Sequence, residues 1–226
     1  MAEVDQVVSP FSRKFAAKPI LPAELIEQLC LGSDIQDSKF DQIFPPYYQL
    51  QSTIHWSPIA VARQIADWIV PLHLKSFIDV GCGVGKLCFL LRILTKYKIT
   101  GIEQRPNLVR IANKIVEVNR FNDISIVQMN ALNLDWDKHD IYYLYNPFQE
   151  QLASEGPCII ENDIEFDQKN YVLYTSEVFR QLSWAKIGKV LITFHGYGAS
   201  VPPSWRMVAS RHIGNGDLKI WIKEFA

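Results

Sequence analysis

The stretch Phe77-Ile78-Asp79-Val80-Gly81-Cys82-Gly83-Val84-Gly85-Lys86 narrows the possible folds more than any other part of the chain. A short apolar run contains an aspartate near its end, and three glycines follow at alternate positions. Leu87, Cys88, Leu90, Leu91 and Leu94 then recur at helical spacing. This is the pattern of a buried strand, a tight turn and a helix, the opening unit of a nucleotide-binding α/β sheet. Glycine is needed in such a turn because the backbone enters conformations that a Cβ forbids, and because a ligand must approach the main chain closely. A dinucleotide-binding turn has the form G-x-G-x-x-G and seats a pyrophosphate on the helix N-terminus. Here Gly85 comes one residue early, and Lys86 stands where that pattern reserves a glycine. Asp79, two positions before Gly81, suits a ligand with a positively charged end.

The following segments agree with this opening. Residues 98–103 read as a second strand ending in Glu103, which follows the glycine turn at about the 20-residue distance where nucleotide folds place a ribose-binding acid. Leu108, Ile111, Ala112, Ile115 and Val118 mark one face of a helix over 107–118. Asn122-Asp123 punctuates, 124–128 alternates as a strand running into Met129-Asn130-Ala131, and 141–145 forms a fourth strand ending at Asn146-Pro147-Phe148. The segment at 77–86, taken with Glu103, resembles motif I of the class I S-adenosylmethionine-dependent methyltransferases.

That resemblance implies an α/β, Rossmann-like doubly wound sheet, seven-stranded and mainly parallel, with a C-terminal antiparallel hairpin. It also implies an S-adenosyl-L-methionine site. Asp79 would organise the methionine amino group, and Gly81, Cys82, Gly83 and Gly85 would form the turn against the cofactor. Glu103 would accept both ribose hydroxyls, a bidentate task suited to a carboxylate. Asn130, with the small Ala131 after it, would pair with the adenine amino group, although such a polar residue also caps turns. Asn146-Pro147-Phe148 looks like a shortened form of the Asn/Asp-Pro-Pro-Tyr/Phe signature of amino-group methyltransferases. Asn146 and the carbonyl of Pro147 would accept the two hydrogens of an amine, and Phe148 would offer a ring face to the sulfonium. The bland alternative is a strand end where Asn-Pro starts a turn.

The chain has 226 residues, is 48% hydrophobic and carries a net charge of -1, so it can bury one substantial core and lacks a globally basic surface for nucleic acid. The acceptor is therefore expected to be a small molecule or a protein rather than nucleic acid. The four cysteines, Cys30, Cys82, Cys88 and Cys158, form no C-x-x-C pair, which suggests reduced thiols in a cytoplasmic protein. Arg13, Lys14 and Lys18 are not followed by an apolar core of signal-peptide length, and Arg92 interrupts the longest apolar stretch, so no membrane segment is expected. No histidine or cysteine spacing suggests a metal.

Residues 1–56 read as an N-terminal helical extension and 57–226 as the catalytic domain. Within the extension, 22–31 forms a short helix that Gly32 can end. The aromatic, proline-broken stretch from Phe40 to Tyr48, with Trp56, is suited either to a lid over the ligand or to packing on the core. Ser57-Pro58 has the form of an N-cap and first helical residue. After 145, residues 149–173 read as an excursion rich in acidic residues, 175–184 as a helix, 189–193 as a fifth strand, and 205–225 as a hairpin turning near Gly214-Asn215-Gly216. His195, in a glycine-flanked loop, is a candidate general base. A cofactor-binding protein without methyl transfer is the second functional class. A nucleotide-dependent oxidoreductase is the third, disfavoured by the glycine spacing.

Overall fold

A computed structural model describes residues 20–152, 164 and 166–225. Arg13, Lys14, Lys18, Cys158 and, in the acidic stretch expected over 149–173, residues 153–163 and 165 lie outside the described residues.

Four short helices come first: α1 (Ala23–Cys30), α2 (Asp37–Phe40), α3 (Pro46–Leu50) and α4 (Ser52–His55). Gly32, at φ +73°, closes α1 as the sequence predicts. Next come α5 (Ile59–Ile69), β1 (Ser76–Val80), α6 (Lys86–Leu94), β2 (Lys98–Glu103), α7 (Pro106–Asn119), β3 (Ile124–Gln128) and β4 (Ile141–Tyr145). The chain ends in α8 (Gln168–Trp184), β5 (Val190–Phe194), β6 (Trp205–Ile213) and β7 (Gly216–Lys223). The sheet order is β3-β2-β1-β4-β5-β7-β6. The first five strands in that order run parallel, while β7 pairs antiparallel with both β5 and β6. The expected seven-stranded, mainly parallel, Rossmann-like sheet with its C-terminal hairpin is present.

Strands β1, β4 and β5 are buried on both faces, which is why they read as continuous apolar runs. One face, carrying Phe77, Ile99, Tyr143 and Ile192, packs under α5, α6 and α7. Described residues of the extension join that cluster, including Leu25, Leu29, Phe40, Phe44, Tyr48 and Trp56. The opposite face, carrying Ile78, Val80, Tyr142 and Leu191, packs against α8 through Val178 and Leu182.

Two expected helix starts need correction. Ser57 does not cap α5: its hydroxyl pairs with the Tyr143 hydroxyl at 2.7 Å, and the Asp37 carboxylate accepts the Ile59 N–H at 2.9 Å instead. Helix α8 starts at Gln168 rather than 175, because Asp167 caps it by accepting the Lys169 N–H at 2.8 Å. No described helix is long and apolar enough to cross a membrane.

Candidate active site

Because β1, β2 and β4 are parallel neighbours, their C-terminal ends and following loops meet along one edge of the sheet. Asp79 sits there, 4% exposed, with the Cys88 thiol 3.7 Å from its carboxylate. Burial pushes the Asp79 carboxyl up to about 7; the thiol opposes this shift and the negative charge of Glu103 adds to it. The contact between the two thiols, and then burial, raise Cys82, while burial raises Cys88 against that contact, so both stay protonated.

The glycine turn is fixed to β2 by the N–H groups of Gly81 and Cys82, both donating to the Ile102 carbonyl at 2.9 Å. Gly81 and Gly83 have φ of +80° and +57°. Their neighbours add a second constraint. A Cβ on Gly81 would lie 3.1 Å from the Pro147 Cβ, and one on Gly83 would lie 2.2 Å from the Trp56 ring. Gly85 has a different job. It ends the turn at φ +82°, and a Cβ there would meet Phe89 at 2.9 Å and Ala112 at 3.4 Å, so it permits close helix packing.

Glu103 is buried and holds the loop edges together. It accepts the Gly83 N–H at 3.3 Å, the Arg105 N–H at 3.0 Å and the Arg105 guanidinium at 3.4 Å. The same guanidinium pairs with Glu150, beside which His55 Nδ1 lies at 3.9 Å. Sequence reasoning missed this network, since no local motif announces a pairing between segments 45 residues apart.

After β4, Asn146 turns the chain at φ +37°, and its N–H donates to the Gly196 carbonyl at 2.9 Å. Its side-chain amide donates through Nδ2 to Gln149 Oε1 at 3.3 Å, an orientation in which Oδ1 serves as acceptor. Phe148 is not where a sulfonium-facing ring was expected. It is buried, stacked on Tyr174 at 4.9 Å between centroids and 8° between planes, and lines a hollow with Glu103, Met129 and Ala131. Asn130 makes the bonds of the turn-capping alternative: its Oδ1 accepts the Leu132 N–H at 2.9 Å and its Nδ2 donates to the Tyr174 hydroxyl at 2.6 Å. His195, at φ +57°, stacks on Tyr145 at 5.6 Å and leans over Gly216, beside Asn146 in the cleft.

Three hollows lie side by side along this edge. The first is lined by Val80, Ile102, Glu103, Ala131, Phe148 and Tyr174. A second, sharing Gly81, Glu103 and Pro147 with it, adds Trp56, Asn146 and His195. A third holds Asp79, Cys82 and Tyr143 and shares His55, Trp56, Gly81 and Tyr145 with the second. Asp79, Gly81, Cys82, Gly83, Glu103, Ala131, Asn146, Pro147 and Phe148 line these adjoining hollows; Gly85 and Asn130 do not.

A family model described as a methyltransferase domain matches residues 73–192, more than half of the chain. The chain belongs to the methyltransferase-domain family. The methyl donor of this family is S-adenosylmethionine. Solved structures place the methyltransferase among similar folds. The Escherichia coli protein yhhF, described as a methyltransferase, is 17% identical with a TM-score of 0.53, over 74% of this chain and 87% of its own. A Haemophilus influenzae protein described as a methylase is 14% identical, with a TM-score of 0.51, over 74% and 98% of the two chains. A Pyrococcus horikoshii OT3 protein is 14% identical, with a TM-score of 0.51, over 80% and 100%. At these identities the likeness is one of fold. Among curated proteins, no sequence matches the methyltransferase.

Proposed function

We propose that this methyltransferase holds S-adenosylmethionine along these adjoining hollows and transfers its methyl group to an amino nitrogen presented at Asn146-Pro147. The observation that carries this reading is the meeting of a buried acid, a glycine cradle, a second acid and an Asn-Pro turn around adjoining hollows at one edge of the sheet. The donor set suits the ligand. Asp79, once ionised, is a counter-ion for the methionine ammonium. Gly81 and Gly83 leave the backbone bare, and Glu103 can exchange its Arg105 contacts for two ribose hydroxyls. Val80, Ile102, Ala131 and the Phe148–Tyr174 stack offer the apolar walls an adenine ring needs.

S-adenosylmethionine supplies a methyl already activated by its sulfonium, so the protein's task is alignment, worth about 7–11 kcal/mol when a near-attack geometry is reached. Asn146 Oδ1 and the Pro147 carbonyl would accept the two amine hydrogens and turn the nitrogen lone pair toward the donor. The His195 imidazole, which lines the same hollow as Asn146, would take the proton that the amine gives up.

Calorimetry with S-adenosylmethionine and NAD, followed by mass-spectrometric screening of methyl acceptors, tests the reading. Binding of S-adenosylmethionine but not NAD, with amine products, is expected. With an acceptor in hand, Asn146→Ala should lower kcat at least tenfold while cofactor affinity changes little, the pattern of an interaction made in the transition state. Products methylated only at oxygen or carbon would overturn the amine assignment. Binding without any methyl transfer would favour a sensor.

A further inference from the structure

We propose that Trp56 and Tyr145 form an aromatic wall that reads the positive charge of the sulfonium, and that Lys86 is the positioning residue that keeps Trp56 in place. This rests on the reading of the cleft as the S-adenosylmethionine site. The sulfur of that molecule is bonded to the ribose 5′ carbon on one side and to the methionine chain on the other. With the ribose at Glu103 and the ammonium at Asp79, the sulfur lies between them. His55, Trp56, Gly81 and Tyr145 line both the hollow holding Glu103 and the hollow holding Asp79. Aromatic side chains therefore stand between the two acids, where the cationic centre would lie, and Phe148, stacked on Tyr174, leaves that place to them. A cation over the face of a tryptophan or tyrosine is attracted by the ring quadrupole, most strongly where water is excluded.

Both rings are held by hydrogen bonds. The Trp56 indole N–H donates to the Tyr48 carbonyl at 3.0 Å, and the ring lies so close on Gly83 that any Cβ there would overlap it. The Tyr145 hydroxyl donates to the Ile54 carbonyl at 3.2 Å. Lys86, the first residue of α6, follows the glycine turn directly, and its ammonium is 1% exposed. It contacts Asp37 at 2.6 Å, Asp41 at 2.8 Å and Ser52 at 2.9 Å. Ser52 precedes Trp56. Asp37, through the same oxygen, also accepts the N–H of Ile59, which follows Trp56. The chain on both sides of the indole is thus tied to a single buried ammonium. Such a group cannot leave its carboxylates cheaply, because an unpaired buried charge is strongly disfavoured.

The test compares S-adenosylmethionine with S-adenosylhomocysteine, which lacks the methyl and the charge, by calorimetry on the full chain. Trp56→Leu should weaken S-adenosylmethionine by about two- to thirtyfold more than S-adenosylhomocysteine, the span of cation–π energies. Trp56→Phe should restore most of the discrimination. Lys86→Met should lower the same ratio, and should add nothing to it in the Trp56→Leu background. If Lys86→Met does not fold, Asp37→Asn removes one carboxylate charge while keeping an acceptor for Ile59, and a smaller drop in the ratio is expected. Equal weakening of both ligands by Trp56→Leu, or no change in either, would overturn the wall. A Lys86→Met effect on the ratio that persists in full without Trp56 would overturn the positioning role. Wild-type protein that binds neither ligand would overturn the cofactor-site reading itself, and the wall with it.

Discussion

Asp79 is a carboxyl whose burial raises it from 3.8 to about 7, so near neutral pH it is divided between its two forms. Between those values the folded chain keeps a proton that the unfolded chain has released. On this account the stability of the protein alone falls as pH rises from about 4 to 7, by about 1.4 kcal/mol per unit of separation between the two pKa values. Asp41, also raised by burial, acts in the same direction. A ligand ammonium reverses the preference at Asp79, since it needs the ionised form. Affinity for S-adenosylhomocysteine is therefore expected to rise with pH through 7. Asp79→Asn should flatten that rise and soften the decline in melting temperature over the same range. Calorimetry at pH 6, 7 and 8 checks the first, and thermal melts check the second. A variant that kept the wild-type pH dependence of affinity would remove Asp79 from the ammonium site.

Helix α8 shows how much of an element is legible in sequence. Its C-terminal part, 175–184, was readable, but its first two turns were hidden behind an acidic stretch whose last member, Asp167, is the cap. Its C-terminus is finished by a residue far away in the chain: Lys223 of β7 donates to the carbonyls of Leu182 and Ser183 at 3.2 and 2.8 Å and to the Ser204 hydroxyl at 2.6 Å. A cation against the last carbonyls satisfies groups that the helix cannot and complements its dipole. Lys223→Met should cost about 1–2 kcal/mol, seen as a lower melting temperature, with unchanged affinity for S-adenosylhomocysteine. The same division runs through the molecule. Strands β2, β3 and β4 were readable to the residue, because β2 and β4 are bounded, mostly apolar runs, β3 alternates as a half-covered edge strand, and each ends in a turn signal. That Asp79, the glycines and Glu103 come together was readable because they belong to one strand–turn–helix unit and the strand after it. The stacking of Phe148 was not readable, because its partner Tyr174 lies on the part of α8 that was not recognised. The capping of α5 by Asp37 and the seating of Trp56 on Gly83 depend on tertiary approach, which no local spacing encodes.

At the scale of the whole molecule, the question is whether the extension before α5 is a removable cover or a part of the core. The same segment does both kinds of work: Trp56 and His55 line the cleft, while Leu21, Leu25, Leu29, Phe40, Ile43 and Phe44 are buried in the cluster that packs on the sheet. Phe44 stands between Phe40 and Phe89 of α6, with both ring centroids at 6.4 Å, so the aromatic packing passes from the extension into the nucleotide-binding unit without a break. Removing residues 1–45 would strip this layer from α6. It would also leave the Lys86 ammonium without Asp37 and Asp41, an unpaired buried charge of the kind that costs about 3–5 kcal/mol. Phe44→Ala alone should cost about 3–5 kcal/mol. Total stabilities of single domains lie at about 5–15 kcal/mol. The deletion is therefore expected to abolish cooperative thermal melting, with cofactor binding lost as a consequence. Phe44→Ala should melt cooperatively at a lower temperature and still bind S-adenosylhomocysteine. A 1–45 deletion that melts like the full chain and retains its ligand would show instead that the extension is a cover, and that the sheet and α5 to α8 stand without it.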